Sequence, residues 1–171
     1  YYYILSRERG LFFVFTVFLR EANKESILQV GSKALYLAKI INEGVTIPNG
    51  FILKADALNK FMTANSLHNH LNHEDFMELF LKAPIPEEVK HELLSSYMKL
   101  KEVTGDQELA VAVRSSSSAE DLEDASFAGQ YDTILNVRDE EQLLHAVKQC
   151  WASVFSEHVR DYASQKDISL E

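Results

Sequence analysis

Apolar residues recur at three- and four-residue intervals in several separate stretches of the chain, the pattern of helices that bury one face. Leu37, Ile40 and Ile41 mark the first of these, and Gly44 supplies its stop. Leu58, Phe61 and Met62 predict a helix over Ala55 to Ala64; Phe76, Leu79 and Phe80 predict one over Glu74 to Lys82. Pro84 and Pro86 break the chain, and a longer helix runs from Glu87 to Thr104, ended by Gly105. After Val137, the acids Asp139 to Glu141 suit a helix start, and the period continues through Leu144, Val147, Trp151, Val154 and Phe155 toward Tyr162.

Short apolar runs without that period read as strands. Leu11 to Leu19 is aromatic and β-branched and lies between Arg9 and Arg20. It is too short to cross a bilayer as a helix. A signal peptide would show a basic start, an apolar centre and a small-residue cleavage site, but here Arg20-Glu21 follow the run directly. A core strand over Phe13 to Leu19 is the expectation. Leu109 to Val113 and Leu135 to Val137 read as further strands, separated by a polar, serine-rich loop. Strand, helix, turn, strand, several helices, strand, loop, strand and helix in that order describe an α+β lobe: a mixed small sheet with flanking helices. Residues 1–13 are set apart as an N-terminal extension.

Composition narrows the class. The chain has 171 residues and 46% hydrophobic content, enough for one ordinary core or two small lobes. A net charge of -9 argues against a nucleic-acid surface, where Lys and Arg would cluster. The single Cys150 excludes a disulfide within the chain and fits a reducing, cytoplasmic compartment. Cys150 and Trp151 read as packing residues on a helix. His68, His70 and His73 invite a metal reading, but their Asn-rich loop offers carboxylates only at Glu74 and Asp75, so a solvated connection is expected instead.

The stretch from Leu109 to Val137 carries the candidate chemistry. An apolar strand delivers Arg114, and Ser115 to Ser118 follow as small hydroxyl carriers whose side chains and amides suit a phosphate. Arg pairs with phosphate oxygens through two bonds and keeps its charge. Gly129 would let the backbone approach a ligand where a Cβ would obstruct it. A serine-rich turn beside a solvated Arg is the plainer alternative for the same residues. Lys33, just after Gly31 at a helix start, is a second candidate anchor for an anion, where free amides add their own attraction. The glycine spacing of a P-loop is absent, and a solvated lysine is the plainer reading there.

Two segments resemble a known family. Ala112 to Ser116, Ala119 to Asp121, Ala125 to Gln130, Asp132-Thr133 and Leu135 to Val137 are similar to the signature of the N-terminal nucleotide-binding domain of phosphoenolpyruvate synthases, pyruvate phosphate dikinases and rifampicin phosphotransferases. Upstream, Val30 to Ala38 and Gly44 to Phe51 resemble the same family's lysine segment and the turn after it, in matching order and spacing. Ser32 and Ala34 stand where the family usually has glycines, which implies a stiffer lysine segment.

The resemblance implies the first lobe of an ATP-grasp-like nucleotide-binding domain, with residues 14–171 its incomplete N-terminal part. It implies that Lys33 and Arg114 hold ATP phosphates, that Gly129 and Thr133 line the nucleotide site, and that Ser115 and Ser116 are secondary donors. Glu120 and Asp121 are not assigned as metal ligands; those for Mg²⁺ are expected outside this chain, as are the phosphohistidine and the domain that takes pyruvate or another acceptor. No catalytic residue is assigned, and the fragment alone is expected to be silent. A rifampicin phosphotransferase lobe and a non-catalytic remnant acting as a binding module are the alternatives.

Overall fold

Residues 14–71, 75–115, 121–122, 125–126 and 133–155 are described by the computed structural model. The N-terminal extension therefore lies outside the described residues up to Phe13. The apolar run that follows forms a strand only over Thr16–Phe18 (β1), which pairs antiparallel with Phe51–Leu53 (β2), Thr16 opposite Leu53 and Phe18 opposite Phe51. Backbone bonds from Leu19 N to Gly50 O (3.0 Å) and from Lys54 N to Phe15 O (2.7 Å) extend the pairing at both ends. The strand stops before Leu19 because the chain winds into a 3-10 turn, Leu19–Lys24, which buries Ala22 completely and leaves Arg20 and Glu21 in solvent.

A single helical turn, Ile27–Val30 (α1), leads through Gly31 into Ser32–Asn42 (α2). Gly31 sits at φ 78, ψ 161, a conformation essentially confined to glycine, so the junction between the two helices depends on that residue. Helix α2 packs against the 3-10 turn and α1 through buried Ala34 and Ala38, with Leu37, Ile40 and Ile41 only half-buried.

Ala55–Ala64 (α3), Phe76–Lys82 (α4) and Glu87–Thr104 (α5) follow the periodicity of the sequence. Helix α5 ends at Gly105 in the left-handed region, φ 70, as its position after the last apolar turn requires. Glu140–Val154 (α6) is opened by Asp139, whose carboxylate accepts the Gln142 amide proton at 2.8 Å.

The remaining strands are Val111–Arg114 (β3), Asp121–Leu122 (β4), Ala125–Ser126 (β5) and Thr133–Val137 (β6). The α+β content matches expectation, and the described strands fall into separate small ladders. Among the described residues there are three two-stranded antiparallel ladders, β1 with β2, β3 with β6 and β4 with β5. Helices link two of them: both the β1–β2 and β3–β6 ladders send side chains into one cluster built on α5 and α6, namely Leu93, Tyr97, Leu143, Ala146 and Val147 with Phe51, Leu53, Val111, Val113, Ile134 and Val137.

A second cluster is aromatic. Phe61, Phe76 and Phe80 form its centre, with Phe61 and Phe80 ring centroids 4.9 Å apart and Phe155 packed on both Phe76 and Phe80. Trp151 packs against both clusters and so joins them. Cys150, one residue before, is buried with its thiol 3.6 Å from the Val113 carbonyl. Both residues act as packing groups, as the sequence indicates.

Candidate functional site

Strand β3 alternates cleanly. Val111 and Val113 turn toward the core cluster while Ala112 and Arg114 are exposed on the other face. Arg114 therefore leaves the ladder on its outer side at its very end, and Ser115 follows it half-buried. On the partner strand Thr133 stands directly opposite Arg114 and is also exposed. Facing positions of an antiparallel pair bring Cβ atoms to about 4.5–5.5 Å, so the guanidinium and the threonine hydroxyl serve one patch of surface. A planar cation and a hydroxyl side by side are donors of the kind that phosphate oxygens accept.

The floor of this patch is held from beneath. The Tyr97 hydroxyl lies 3.0 Å from the Leu109 carbonyl, before β3, and 2.8 Å from the Arg138 carbonyl, after β6. One buried tyrosine on α5 thus grips both strands at the end opposite Arg114. Arg138 adds a bond from Nη1 to the Glu108 carbonyl at 3.3 Å, and its amide donates to Gln142 Oε1 at 3.1 Å. The ladder is pinned to α5 and α6 at one end and carries its candidate ligand groups at the other.

Lys33 lies exposed in the first turn of α2. Ser32 and Ala34, which replace glycines usual at those positions, are both helical here and Ala34 is buried. Neither has a positive φ, which among the described residues is confined to Gly31, Gly44, Gly105, Ser66 and Asn136. The substitutions thus cost no backbone strain. Gly129, Ser116, Glu120 and the rest of the loop from 116 to 120 and from 127 to 132 lie outside the described residues, and so does His73. His68 and His70 fall on a 3-10 turn, Leu67–His70. Among the described residues no three His, Cys, Asp or Glu side chains come together as a metal set.

Further groups, not singled out by motif or periodicity, shape the surroundings. Glu92, half-buried on α5, accepts from the amides of Val14 (3.1 Å), Phe15 (2.7 Å) and Thr16 (2.6 Å) and from the Thr16 hydroxyl (3.0 Å). Its signal is present in the sequence: Glu92 and Ser96 occupy the apolar stripe of Val89, Leu93, Tyr97 and Leu100, where an acid needs partners. Lys148 on α6 donates to the carbonyls of Leu81 and Ala83 (2.8 Å for the latter), capping the end of α4, and burial pushes its pKa down. Glu78 is held below the usual carboxylate range by the hydrogen bond and charge of Lys82, four residues on. Asn136, within the signature segment Leu135 to Val137, lies on β6 itself. An open groove of about 700 Å³ between α4, α5 and α6 is lined by Met77, Leu81, Ile85, Leu144 and Lys148 among others, and Lys33, Arg114, Ser115 and Thr133 are not among its lining residues.

Comparison with known proteins gives this geometry a family. Residues 27–171 match the family described as pyruvate phosphate dikinase, AMP/ATP-binding domain. The chain is 43% identical over 157 residues to the uncharacterized phosphotransferase YvkC of Bacillus subtilis, covering 92% of this chain and 18% of that protein. It is 32% identical over 173 residues to the phosphoenolpyruvate synthase of Aeropyrum pernix, covering 91% of this chain and 21% of the relative. A probable phosphoenolpyruvate synthase of Methanothermobacter thermautotrophicus is likewise 32% identical over 171 residues, 90% of this chain and 25% of its own length. The chain spans about a fifth to a quarter of these relatives. No helix among the described residues is long and apolar enough to cross a membrane.

Proposed function

Because the chain belongs to the family of the pyruvate phosphate dikinase AMP/ATP-binding domain, we propose that it is the ATP-binding portion of a dikinase-type phosphotransferase resembling phosphoenolpyruvate synthase. The observation that carries this reading is the opposition of Arg114 and Thr133 on the exposed face of the β3–β6 ladder. Those residue types fit the nucleotide's phosphates: the guanidinium binds two oxygens and offsets their charge, and the hydroxyl donates beside it. Bound there, ATP would supply the phosphoryl group. Ser115 adds a hydroxyl next to Arg114, and Gly129 would admit the nucleotide close to the backbone. Lys33, at the positive end of α2, serves as a mobile cation for the same phosphates.

In this reading the Mg²⁺ ligands, the acceptor histidine and the site for pyruvate belong to sequence beyond this chain, which spans about a fifth of its relatives' length. The first lobe of an ATP-grasp-like fold is the architecture proposed for it. Nucleotide titration by calorimetry tests the binding role: Arg114→Ala is expected to weaken ATP binding by about 10- to 150-fold, the loss of a charged hydrogen-bonded contact. Equal and negligible ATP binding by wild type, Arg114→Ala and Lys33→Ala would leave only a remnant that serves as a binding module.

A second reading concerns the acceptor. The alternative is the ATP-binding lobe of a rifampicin phosphotransferase, in keeping with the 43% identity to a phosphotransferase whose name states no acceptor. Failure of pyruvate to stimulate ATP consumption by the full-length protein, with stimulation by rifampicin, would select it.

A further inference from the structure

Strand β6 departs from simple alternation at one place. Ile134 and Val137 both pack onto the cluster of Leu93, Tyr97 and Leu143 although they are three residues apart, whereas a regular strand returns to the same face every second residue. The register shows how. Arg114 faces Thr133 and Val113 faces Ile134, but Val111 faces Val137, so Leu135 and Asn136 together stand against Ala112. This is a β-bulge, one extra residue on one strand.

Asn136 absorbs that residue. It lies at φ 61, in the left-handed region that asparagine tolerates far better than bulky or β-branched side chains do. Its Oδ1 accepts a bond from Arg138 Nε at 2.9 Å, and Arg138 is tied in turn to the Glu108 carbonyl leading into β3. Were β6 regular, with Val137 still in the core, alternation would turn Leu135 and Thr133 inward and Ile134 outward. Thr133 would then leave the face that carries Arg114.

We propose that Asn136 is a positioning residue for the nucleotide site: its left-handed backbone sets the register that holds Thr133 outward and opposite Arg114. This rests on the reading that Arg114 and Thr133 meet the phosphates of ATP. Asn136 itself touches no ligand; it acts through the strand.

The test uses the full chain with Asn136→Gly, which keeps access to positive φ, and Asn136→Val, which denies it. ATP affinity is measured by calorimetry, and register by the nuclear Overhauser effect between the backbones of Arg114 and Thr133. Asn136→Gly is expected to bind within about threefold of wild type, and Asn136→Val about tenfold or more weaker, without the cross-strand Overhauser effect. Should Asn136→Val fail to fold, Asn136→Ala makes the same comparison with a milder steric conflict, and its affinity is expected between those of wild type and a bulge-less strand. Wild-type affinity in Asn136→Val or Asn136→Ala, or weaker binding with the Arg114–Thr133 Overhauser effect intact, overturns the inference while ATP binding still depends on Arg114. ATP binding insensitive to Arg114→Ala overturns the nucleotide reading and the role of Asn136 together.

Discussion

Arg114 and Thr133 are directly opposed in the antiparallel ladder of β3 and β6, both exposed on its outer face. Groups so placed should act on a shared ligand as a pair and not independently. Thr133→Val keeps the strand preference and removes only the hydroxyl, so a loss of about three- to tenfold in ATP affinity is expected, the worth of one hydrogen bond. In a double-mutant cycle with Arg114→Ala the two losses should not add, because the hydroxyl contributes less once the charge beside it is gone. Calorimetric titration of the four proteins measures the coupling; strict additivity would mean that the two side chains do not share a ligand.

Glu92 is the fastening of β1 to α5. Its carboxylate accepts four hydrogen bonds from Val14, Phe15 and Thr16, and Thr16 also bonds Ser96 at 2.8 Å in a buried position. Glu92→Ala is expected to destabilise the fold by about 2–3 kcal/mol, the range for a charged acceptor removed from donors that are partly buried. Glu92→Gln keeps one oxygen acceptor but sets an NH₂ against amide donors, so roughly half that loss is expected. Urea unfolding gives both values, and amide exchange should accelerate first at Thr16 and Val17.

Tyr97 offers a gentler handle on the candidate site. Its hydroxyl reaches the carbonyls of Leu109 and Arg138, the two strand ends remote from Arg114. Tyr97→Phe preserves the buried ring and should cost about 1 kcal/mol in urea unfolding. Because the hydroxyl grips the ladder and not the ligand patch, ATP affinity should change by less than about twofold; a larger change would mean that the far end of the ladder governs the near one.

The contrast between these groups and the helices shows what local sequence can carry. Helices α3 and α5 occupy Ala55–Ala64 and Glu87–Thr104, as periodicity and the stops at Pro86 and Gly105 indicate, since every determinant lies within the element. Arg114 is recognisable from its own strand end as a donor for an anion, and Thr133 through the family resemblance. Their opposition is not, because it depends on a bulge at Leu135–Asn136 that breaks the period of two. Glu92 finds its partners 76 to 78 residues away, and Lys148 caps a helix 65 to 67 residues before it. Such pairings follow from how helices stack, which no single periodic stretch encodes. The described strands are linked in the same non-local way: side chains of α5 and α6 pack into one cluster with residues of the β1–β2 and β3–β6 ladders.

Lys148 gives a pH dependence with a definite sign. Its pKa in the folded chain lies below 10.5 because burial disfavours the charge, so between the folded value and 10.5 the unfolded chain binds more protons. Stability contributed by this group therefore rises with pH through that window, and the penalty is fully present below it. Lys148→Met removes the titration together with the bonds to Leu81 and Ala83. The difference in unfolding free energy, wild type minus Lys148→Met, should grow in favour of wild type as pH is raised from neutral toward 10.5. A flat or falling difference would show that the carbonyl bonds, not burial, set the protonation of this lysine.

Trp151 is the single tryptophan of the chain, and it packs against both the aromatic cluster and the cluster under the β3–β6 ladder. Its ring centroid lies 5.4 Å from that of Phe61 on α3, while its helix neighbour Cys150 approaches the Val113 carbonyl of β3. If the two clusters unfold as one unit, tryptophan fluorescence and far-ultraviolet circular dichroism should trace the same denaturation curve. Replacing the indole by Ala removes the largest side chain common to both, at a cost of about 3 kcal/mol for a large aromatic so truncated. Trp151→Phe, which keeps a ring against Phe61 but leaves part of the volume empty, should cost about 1–2 kcal/mol. The decisive reading is the shape of the curve. In Trp151→Ala the coupling between clusters is expected to weaken enough that exchange at β6 amides and at α3 amides follows different free energies, where in wild type both follow the global value. Equal free energies at the two sites in Trp151→Ala would mean that contacts other than the indole couple the two clusters.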